Sequence, residues 1–228
     1  ERVQHGGVLP MITSCSPGWI KYCEHYFPDM TENLSSCKSP QQMFGAIAKS
    51  YYADKMGLKP EDIVSVSVMP CTAKKFEIGR DDQDANGSPD VDYTITTREL
   101  ARMIKQAGLR FETLPDESFD TPLGLGSGAG VIFGATGGVM EAALRTAVES
   151  LTGEELAKLE FNDVRGMEGI KEASYEVGDL KVNVAVASGL INARDLLNRV
   201  KSGEADYHFI EIMGCPGGCI AVSYTHLR

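Results

Sequence analysis

Two cysteines near the end of the chain have a spacing that suits metal binding. Cys215 and Cys219 are separated by one proline and two glycines, and glycine tolerates left-handed dihedrals and leaves room for close approach. Such a segment can wrap closely around a compact inorganic group. The preceding residues 207–213 (YHFIEIM) predict a buried strand, which would hold the thiolates rigidly. For this pair alone, a metal site, a disulfide and two buried thiols in a turn all remain open.

Cys15 lies just before a predicted helix. Ser16 is expected to cap that helix with its hydroxyl, Pro17 to be its first residue, and the helix to run roughly over residues 18–26. The unsatisfied N–H groups at a helix N-terminus favour negative charge, so a Cys15 thiolate would be stabilised there. A plain buried cysteine beside the cap is the alternative.

Cys71 follows a predicted strand over residues 63–69 (IVSVSVM), whose apolar and polar residues alternate. In α/β folds, binding sites lie at the C-terminal ends of strands. Lys74 could therefore act near Cys71 as a cation or hydrogen-bond donor. Alternatively, Lys74 and Lys75 form a solvated surface pair.

The remaining chain alternates between strands and helices, which predicts an α/β fold. Ser39 begins a predicted capping box with a helix to about Lys55, and Thr97 is expected to cap a helix over residues 98–107. The glycine-rich residues 124–138 match a dinucleotide fingerprint only weakly, and they predict a backbone that passes close to another group. Other predicted strands cover residues 93–96, 162–164 and 180–187, and other predicted helices cover residues 139–151 and 191–200.

Composition narrows the class of protein. The 228 residues suffice for one substantial core, or for two lobes around a cleft. A formal net charge of −10 makes nucleic acid and anionic membranes poor candidates as partners. No apolar run approaches the length of a membrane span, and the polar first residues predict no signal peptide. The six cysteines of such a chain favour catalytic or metal-binding thiols over disulfides, as expected in the cytoplasm.

Three cysteine motifs stand in order along the chain: TSCSPGW at residues 13–19, MPCTAKKFE at 69–77 and EIMGCPGGC at 211–219. Together they closely resemble the three signature motifs of the catalytic domain of the [FeFe]-hydrogenases, the iron-only hydrogenases. The segments SPQQ at 39–42, TTREL at 96–100 and SGAGVIFGATGGVMEAALR at 127–145 also resemble that family. The resemblance covers about residues 1–220, and residues 221–228 are expected to be an unrelated or truncated tail of a fragment.

The resemblance implies a two-lobed α/β fold, with twisted sheets flanked by helices and a metal cluster in the cleft. It implies an H-cluster, which is a [4Fe–4S] cubane joined through a cysteine to a two-iron subsite carrying CO, cyanide and an azadithiolate. It also implies reversible reduction of protons to H₂ with electrons from ferredoxin or another carrier, and maturation proteins that supply the two-iron subsite.

By motif position, the resemblance assigns a role to individual residues. Cys71, Cys215 and Cys219 correspond to cubane ligands, and Cys219 to the one that bridges to the two-iron subsite. Cys15 corresponds to the proton-shuttling cysteine and Lys74 to the lysine that hydrogen-bonds a cyanide. The residues that correspond to the subsite pocket are Met69, Pro70, Gln41, Phe133 and Met213, and those that correspond to the outward proton path are Glu77, Ser35 and Arg2.

Ser16 is a departure from the family pattern, which has a second cysteine at this position as the fourth cubane ligand. A serine hydroxyl is far more basic than a thiol and rarely ligates such clusters. We therefore expect three cysteine ligands, with the Ser16 oxygen, water or nothing at the fourth site. Cys23 and Cys37 are interpreted as structural cysteines. A sensory hydrogenase-like module and a hydrogenase-like iron–sulfur assembly protein remain alternative functions.

Overall fold

The computed structural model describes residues 2–126, 128–153, 169–177 and 180–220. These residues belong to two compact units, one formed by Glu1–Cys37 with Ser127–Arg228 and the other by Lys38–Gly126. We call them the discontinuous unit and the continuous unit. The predicted strand over residues 162–164 lies outside the described residues.

Strands and helices alternate along both units, and the predicted elements have the predicted type wherever they are described. The strands are β1 (Met11–Thr13), β2 (Val66–Met69), β3 (Tyr93–Thr96), β4 (Ile170–Val177), β5 (Leu180–Ser188) and β6 (Phe209–Met213). The α-helices are α1 (Arg2–His5), α2 (Pro17–Tyr26), α3 (Pro40–Ile47), α4 (Ala53–Met56), α5 (Ala73–Glu77), α6 (Thr97–Gln106), α7 (Gly128–Ile132), α8 (Gly138–Thr152) and α9 (Leu190–Lys201).

The discontinuous unit is built on a mixed four-stranded sheet in the order β1-β6-β5-β4. β1 and β5 each pair in parallel with β6, whereas β4 pairs antiparallel with β5. The two ends of the sequence therefore meet in neighbouring strands, with Thr13 paired to Glu211. Because β1 and β6 are parallel, the segments that follow them leave the sheet at the same edge.

Helices cover both faces of this sheet. Successive residues of β5 point to opposite faces, as the period of two requires, so Val184 packs in one buried cluster and Ala185 in the other. The cluster with Ala185 contains Trp19 from α2 and Leu196 from α9. The cluster with Val184 contains residues of α8. Burial of these apolar side chains is the main term that stabilises the unit.

The continuous unit contains the parallel pair β2-β3 with helices α3 to α6. A π-helical stretch, Ala48–Tyr52, joins α3 to α4, so one continuous helical segment runs from Pro40 to Met56 and ends at Gly57, whose φ is +66°. Lys49 in this stretch is 1% exposed, and its Nζ donates to both carboxylate oxygens of Asp92 at 2.8 and 2.9 Å. The ion pair fixes this helical segment to the chain entering β3.

Three predictions about helix caps were wrong in detail. The Ser16 and Ser39 side chains make no capping hydrogen bond, although Pro17 and Pro40 do begin their helices. The helix predicted at residues 98–107 is capped by Thr96, not Thr97. A cap residue needs extended backbone, and Thr97 has already entered the helix.

The helices of the described residues include none that is long and apolar enough to cross a membrane.

Candidate metal centre

In each of the three motifs, the first cysteine follows the C-terminal end of a strand. Cys15 lies after β1, Cys71 after β2 and Cys215 after β6. The parallel pairing of β1 with β6 brings the first and third motifs to one edge of the sheet in the discontinuous unit. Cys71 belongs to the continuous unit.

The first and third motifs contact each other directly. The Sγ of Cys15 lies 4.0 Å from the Sδ of Met213, which is 2% exposed. A Cβ added to Gly214 would overlap the Ser16 Oγ, so the Ser16 side chain packs closely against the Gly214 backbone. The structure therefore brings together three predicted site residues of this unit, Cys15, Ser16 and Met213.

The Cys215–Cys219 loop is held on two sides. The Gly217 N–H donates to the Ser188 Oγ at the end of β5 at 3.2 Å. The Ile220 N–H donates to the Gly134 carbonyl at 3.2 Å, and Gly218 bridges to Ala135. The glycine-rich segment before α8 thus passes close to this loop, although the group it approaches is protein backbone. The loop is rigid enough to present two thiols in a defined arrangement.

Gly218 has a positive φ of +86°, and a Cβ there would overlap the Gly134 carbonyl oxygen. Gly218→Ala is expected to lower the free energy of unfolding by about 3 kcal/mol, because the left-handed strain and the overlap add. Gly203→Ala is the matched control, since Gly203 also has a positive φ of +76° but open space around it. The control is expected to cost about 1 kcal/mol. Denaturant unfolding of the two variants checks this, and equal costs would contradict the close approach.

The surroundings of this loop suit an inorganic group that accepts hydrogen bonds. Thr136 is 3% exposed, and its Oγ1 makes no hydrogen bond within the part of the chain that the structure describes. Its backbone N lies 2.9 Å from where a Gly218 Cβ would be. A buried hydroxyl without a partner is costly, and a sulfide of an inorganic cluster could accept its hydrogen bond. Two thiols, a glycine cradle and this hydroxyl fit an iron–sulfur group.

In the continuous unit, the buried carboxylate of Glu77 contacts two other predicted site residues, Gln41 and Lys74, and also Ser39. Glu77 is 7% exposed, and its Oε2 accepts from Ser39 Oγ at 2.8 Å and from Gln41 Nε2 at 2.6 Å. The Nζ of Lys74 donates to the two oxygens of Glu77 at 3.0 and 3.1 Å. Ser39 is thus used for this network and not as a helix cap. Lys74 is 5% exposed, which excludes the alternative of a solvated surface lysine.

Two of the three residues predicted for the proton path, Arg2 and Ser35, belong to the discontinuous unit and lie close together there. A guanidinium N–H of Arg2 donates to the Leu34 carbonyl at 2.9 Å, next to Ser35. The Ser35 N–H donates to the Ile12 carbonyl at 2.7 Å, and its Oγ accepts from the Cys37 N–H at 3.2 Å. Glu77, the third, belongs to the continuous unit.

The other predicted pocket residues flank the cysteine segments. Met69 ends β2 and Pro70 follows it, immediately before Cys71, and all three are partly buried. Phe133 is partly buried in the turn between α7 and α8. Their role at a subsite stays a prediction.

Cys23 and Cys37 differ in their surroundings from the motif cysteines. Cys23 is fully buried in the core against Trp19, and burial raises the pKa of its thiol to about 11. A buried thiol with so high a pKa is a poor source of thiolate. Cys37 is exposed. The burial of Cys23 fits its structural interpretation, whereas the exposed Cys37 packs in no core cluster of the described residues, and its structural interpretation stays a prediction.

Sequence reasoning missed Glu211, which lies inside the third motif. It is 1% exposed, and its carboxylate accepts hydrogen bonds from the N–H groups of Gly137 and Met140. Burial raises the pKa of Glu211, and these two backbone hydrogen bonds oppose the rise. An acidic residue inside the apolar run FIEIM was the available signal, because an unpaired charge is rarely buried.

Within either unit, the described residues contain no group of three His, Cys, Asp or Glu side chains arranged as metal ligands. The predicted ligand set draws Cys215 and Cys219 from the discontinuous unit and Cys71 from the continuous unit. Their convergence on one cluster stays a prediction.

Comparison with known proteins shows the family. The sequence profile of the iron only hydrogenase large subunit, C-terminal domain, matches residues 1–222. The chain belongs to this family.

Individual relatives agree with that assignment. The chain is 59% identical over 212 residues to the NADP-reducing hydrogenase subunit HndD of Solidesulfovibrio fructosivorans, covering 93% of this chain and 36% of the relative. It is 50% identical to the periplasmic [Fe] hydrogenase large subunit of Nitratidesulfovibrio vulgaris, covering 93% of this chain and 50% of the relative. The structure of a variant of the [FeFe]-hydrogenase from Chlamydomonas reinhardtii superimposes with a TM-score of 0.73 at 45% identity, covering 93% of this chain and 60% of that one.

These comparisons confirm the α/β hydrogenase-domain fold, and the chain spans between about a third and three-fifths of the length of these relatives. A more distant relative is a cytosolic Fe-S cluster assembly factor of Xenopus tropicalis, 34% identical over 93% of this chain. The relatives of this chain are therefore named for more than one function.

Proposed function

We propose that the protein containing this chain catalyses the reversible combination of two protons and two electrons to H₂ at an H-cluster. The observation that carries the proposal is the Cys215–Cys219 loop, which is held between Ser188 and Gly134 with the Cys15 and Ser16 segment against its base. Such rigidity suits a metal centre, whose ligands must stay in place when the charge of the metal changes. Family membership supports the same activity.

We assign the [4Fe–4S] cubane to the thiolates of Cys71, Cys215 and Cys219, with Cys219 bridging to the two-iron subsite. Soft thiolates are the usual ligands of iron–sulfur clusters. When bound, the H-cluster, with its cubane and its two-iron subsite carrying CO, cyanide and azadithiolate, would supply the electron-transfer and proton-reduction chemistry. We assign residues 1–220 to the catalytic domain.

The chain's own groups hold the subsite and move the proton. The Cys15 thiol donates and accepts the proton at its Sγ, and the Met213 side chain, 4.0 Å away, excludes water beside it. Lys74, held by Glu77, offers N–H donors to a cyanide. Gln41, Met69, Pro70 and Phe133 shape the pocket. Proton transfer needs groups within hydrogen-bond reach, and Ser35, Glu77 and Arg2 are proposed as the outward path.

Ferredoxin or another carrier is the proposed electron partner, and maturation proteins deliver the two-iron subsite. The name of the Solidesulfovibrio relative, NADP-reducing, supports a second possibility, in which electrons pass through further subunits to NADP. We propose a cytoplasmic location, although the Nitratidesulfovibrio relative is named periplasmic. Nucleic acid and membranes are not among the proposed partners.

Two alternative functions have specific support. A sensory module, which binds the cluster but turns over slowly, is favoured by Ser16 at the fourth ligand position. An iron–sulfur assembly role is favoured by the 34% identical assembly factor. Cys15, Lys74 and Met213 argue against the assembly role, since a protein without a two-iron subsite has no use for a proton shuttle and a cyanide donor.

The deciding experiment uses the full-length protein, reconstituted with iron and sulfide and loaded with a synthetic two-iron complex bearing CO, cyanide and azadithiolate. The proposal predicts infrared bands of bound CO and cyanide together with H₂ evolution from a reduced dye. Bands with very slow turnover would favour the sensory module. Cubane absorption without any such bands would favour the assembly role.

Ser16→Cys provides a test of the ligand set. The new thiol is expected to become a fourth cubane ligand, shift the cluster reduction potential and slow iron release to a chelator about 10-fold or more. Ser14→Cys, two residues away in the same segment, is the matched control and is expected to change neither quantity. Iron content and potential equal to wild type in Ser16→Cys would contradict the assignment of Ser16 to the fourth position.

A further inference from the structure

Glu211 caps a helix that lies on another part of the chain. Its Oε1 accepts from the Gly137 N–H at 2.8 Å and its Oε2 from the Met140 N–H at 2.6 Å. Gly137 is the N-cap residue of α8, and it has no side chain with which to satisfy the free N–H groups of the first turn. The middle of β6 therefore supplies the cap that the local sequence of α8 lacks.

The turn that Glu211 caps continues directly into the backbone that supports the cysteine loop. Residues 134–136 contact Gly218 and Ile220 through the Gly134 carbonyl and the bridge at Ala135. Gly138, next to the capped turn, approaches the Ile132 carbonyl so closely that a Cβ there would overlap it. A displacement of this turn would therefore also displace the loop, because the contacts of Gly138 with Ile132 and of Gly218 with Gly134 are both too close to leave free space.

A second connection runs along β6 itself. Glu211 lies in β6, four residues before Cys215, so it helps to fix the position at which the chain enters the Cys215–Cys219 loop. The turn that it caps supports the other end of the loop, at Gly218 and Ile220. Burying a carboxylate is costly unless it is fully hydrogen-bonded. Glu211 is 1% exposed, and each of its two carboxylate oxygens accepts one backbone hydrogen bond, which offsets part of that cost.

We propose that Glu211 is a positioning residue for the Cys215–Cys219 loop, acting through the first turn of α8 and residues 134–136. The inference rests on the proposed function only in treating the two cysteines as cluster ligands. The positioning itself is a property of the protein without a cluster.

The test measures thiol accessibility in the full-length protein before reconstitution. Glu211→Gln replaces one acceptor oxygen with an NH₂ group, so one of the two amides loses its partner. Alkylation of Cys215 and Cys219 by iodoacetamide, mapped by mass spectrometry, is expected to become about tenfold faster relative to the exposed Cys37, the change expected for loss of one charge-assisted hydrogen bond. Glu211→Asp, which keeps the charge but is one methylene shorter, is expected to act in the same direction.

Two control variants separate positioning from general destabilisation. Glu141→Gln makes the same chemical change within α8, the helix that Glu211 caps. The Glu141 carboxylate pairs with Arg145 at 3.0 Å. Leu144→Ala removes core packing from α8, since Leu144 is 4% exposed in the cluster with Val184. In a protein that circular dichroism shows to be folded, neither variant is expected to change the labelling ratio, which is the alkylation rate of Cys215 and Cys219 relative to that of Cys37. An equal increase in Leu144→Ala, or no increase in both folded Glu211 variants, would overturn the inference.

A second readout uses the reconstituted protein. Iron release to a chelator is expected to be about 10-fold faster in Glu211→Gln than in wild type, as for other outer-shell partners of metal ligands. If the wild-type protein binds no iron at all, the proposed function fails, while the labelling ratio still decides whether Glu211 positions the loop.

Discussion

Full-length protein carrying Cys71→Ala, Cys215→Ala or Cys219→Ala is expected to lose its iron–sulfur absorption and to evolve no H₂ above background. In the proposed ligand set, each change removes one of only three cysteine thiolates, because Ser16 stands where the family pattern has a fourth cysteine. Two remaining thiolates hold a cubane poorly. Iron analysis, the visible spectrum after reconstitution and gas chromatography of H₂ measure the effect.

Cys23→Ala and Cys37→Ala are the matched controls for the ligand variants. Both remove one thiol from the same chain, but Cys23 is packed in the core and Cys37 is exposed. Both are expected to retain the full iron content when folded. Cluster loss in either control, or retention of the cluster after replacement of Cys215, would contradict the assigned ligands.

Glu77→Gln is expected to lower H₂ evolution about 10- to 100-fold, as loss of outer-shell partners commonly does. The carboxylate holds both Lys74 and Gln41, and the substitution replaces its two charged acceptor oxygens with one neutral carbonyl oxygen and an NH₂ group, so the Lys74 ammonium is held less firmly. The same change replaces one partner of a buried ion pair with a neutral amide, which is expected to cost about 3–5 kcal/mol of stability. The cyanide bands in the infrared spectrum of the folded, loaded protein measure the orientation separately from stability.

Glu99→Gln is the control for Glu77, because Glu99 pairs with the neighbouring Lys75 at 2.6 Å on the surface, where both side chains are more than one-third exposed. It is expected to leave activity and infrared bands unchanged. The band shift in Glu77→Gln should vanish when Lys74 is also replaced by methionine, since Glu77 acts through Lys74. A shift of the same size in the Lys74→Met background would show that Glu77 acts in some other way.

Much of the fold could be predicted because its signals are local. Pro17 and Pro40 mark helix starts, Gly57 and Gly108 mark helix ends with positive φ, and alternation of apolar residues identifies β2. Each depends on the conformational limits of one or two residues. The capping prediction failed at Ser39 because its side-chain hydroxyl has a competing partner. Ser39 donates to Glu77, 38 residues away, and no local pattern reveals that partner.

The sequence by itself determined the family, the order of the motifs and the residue types available for thiolate chemistry, since these are properties of short segments. Only the tertiary structure decided which segments meet. The parallel pairing of β1 with β6 places Cys15 beside Met213, although 198 residues separate them. Burial likewise turned Glu77 and Glu211 from ordinary acidic residues into fixed hydrogen-bond acceptors, because a carboxylate withdrawn from water must find its donors among whatever groups the fold brings near.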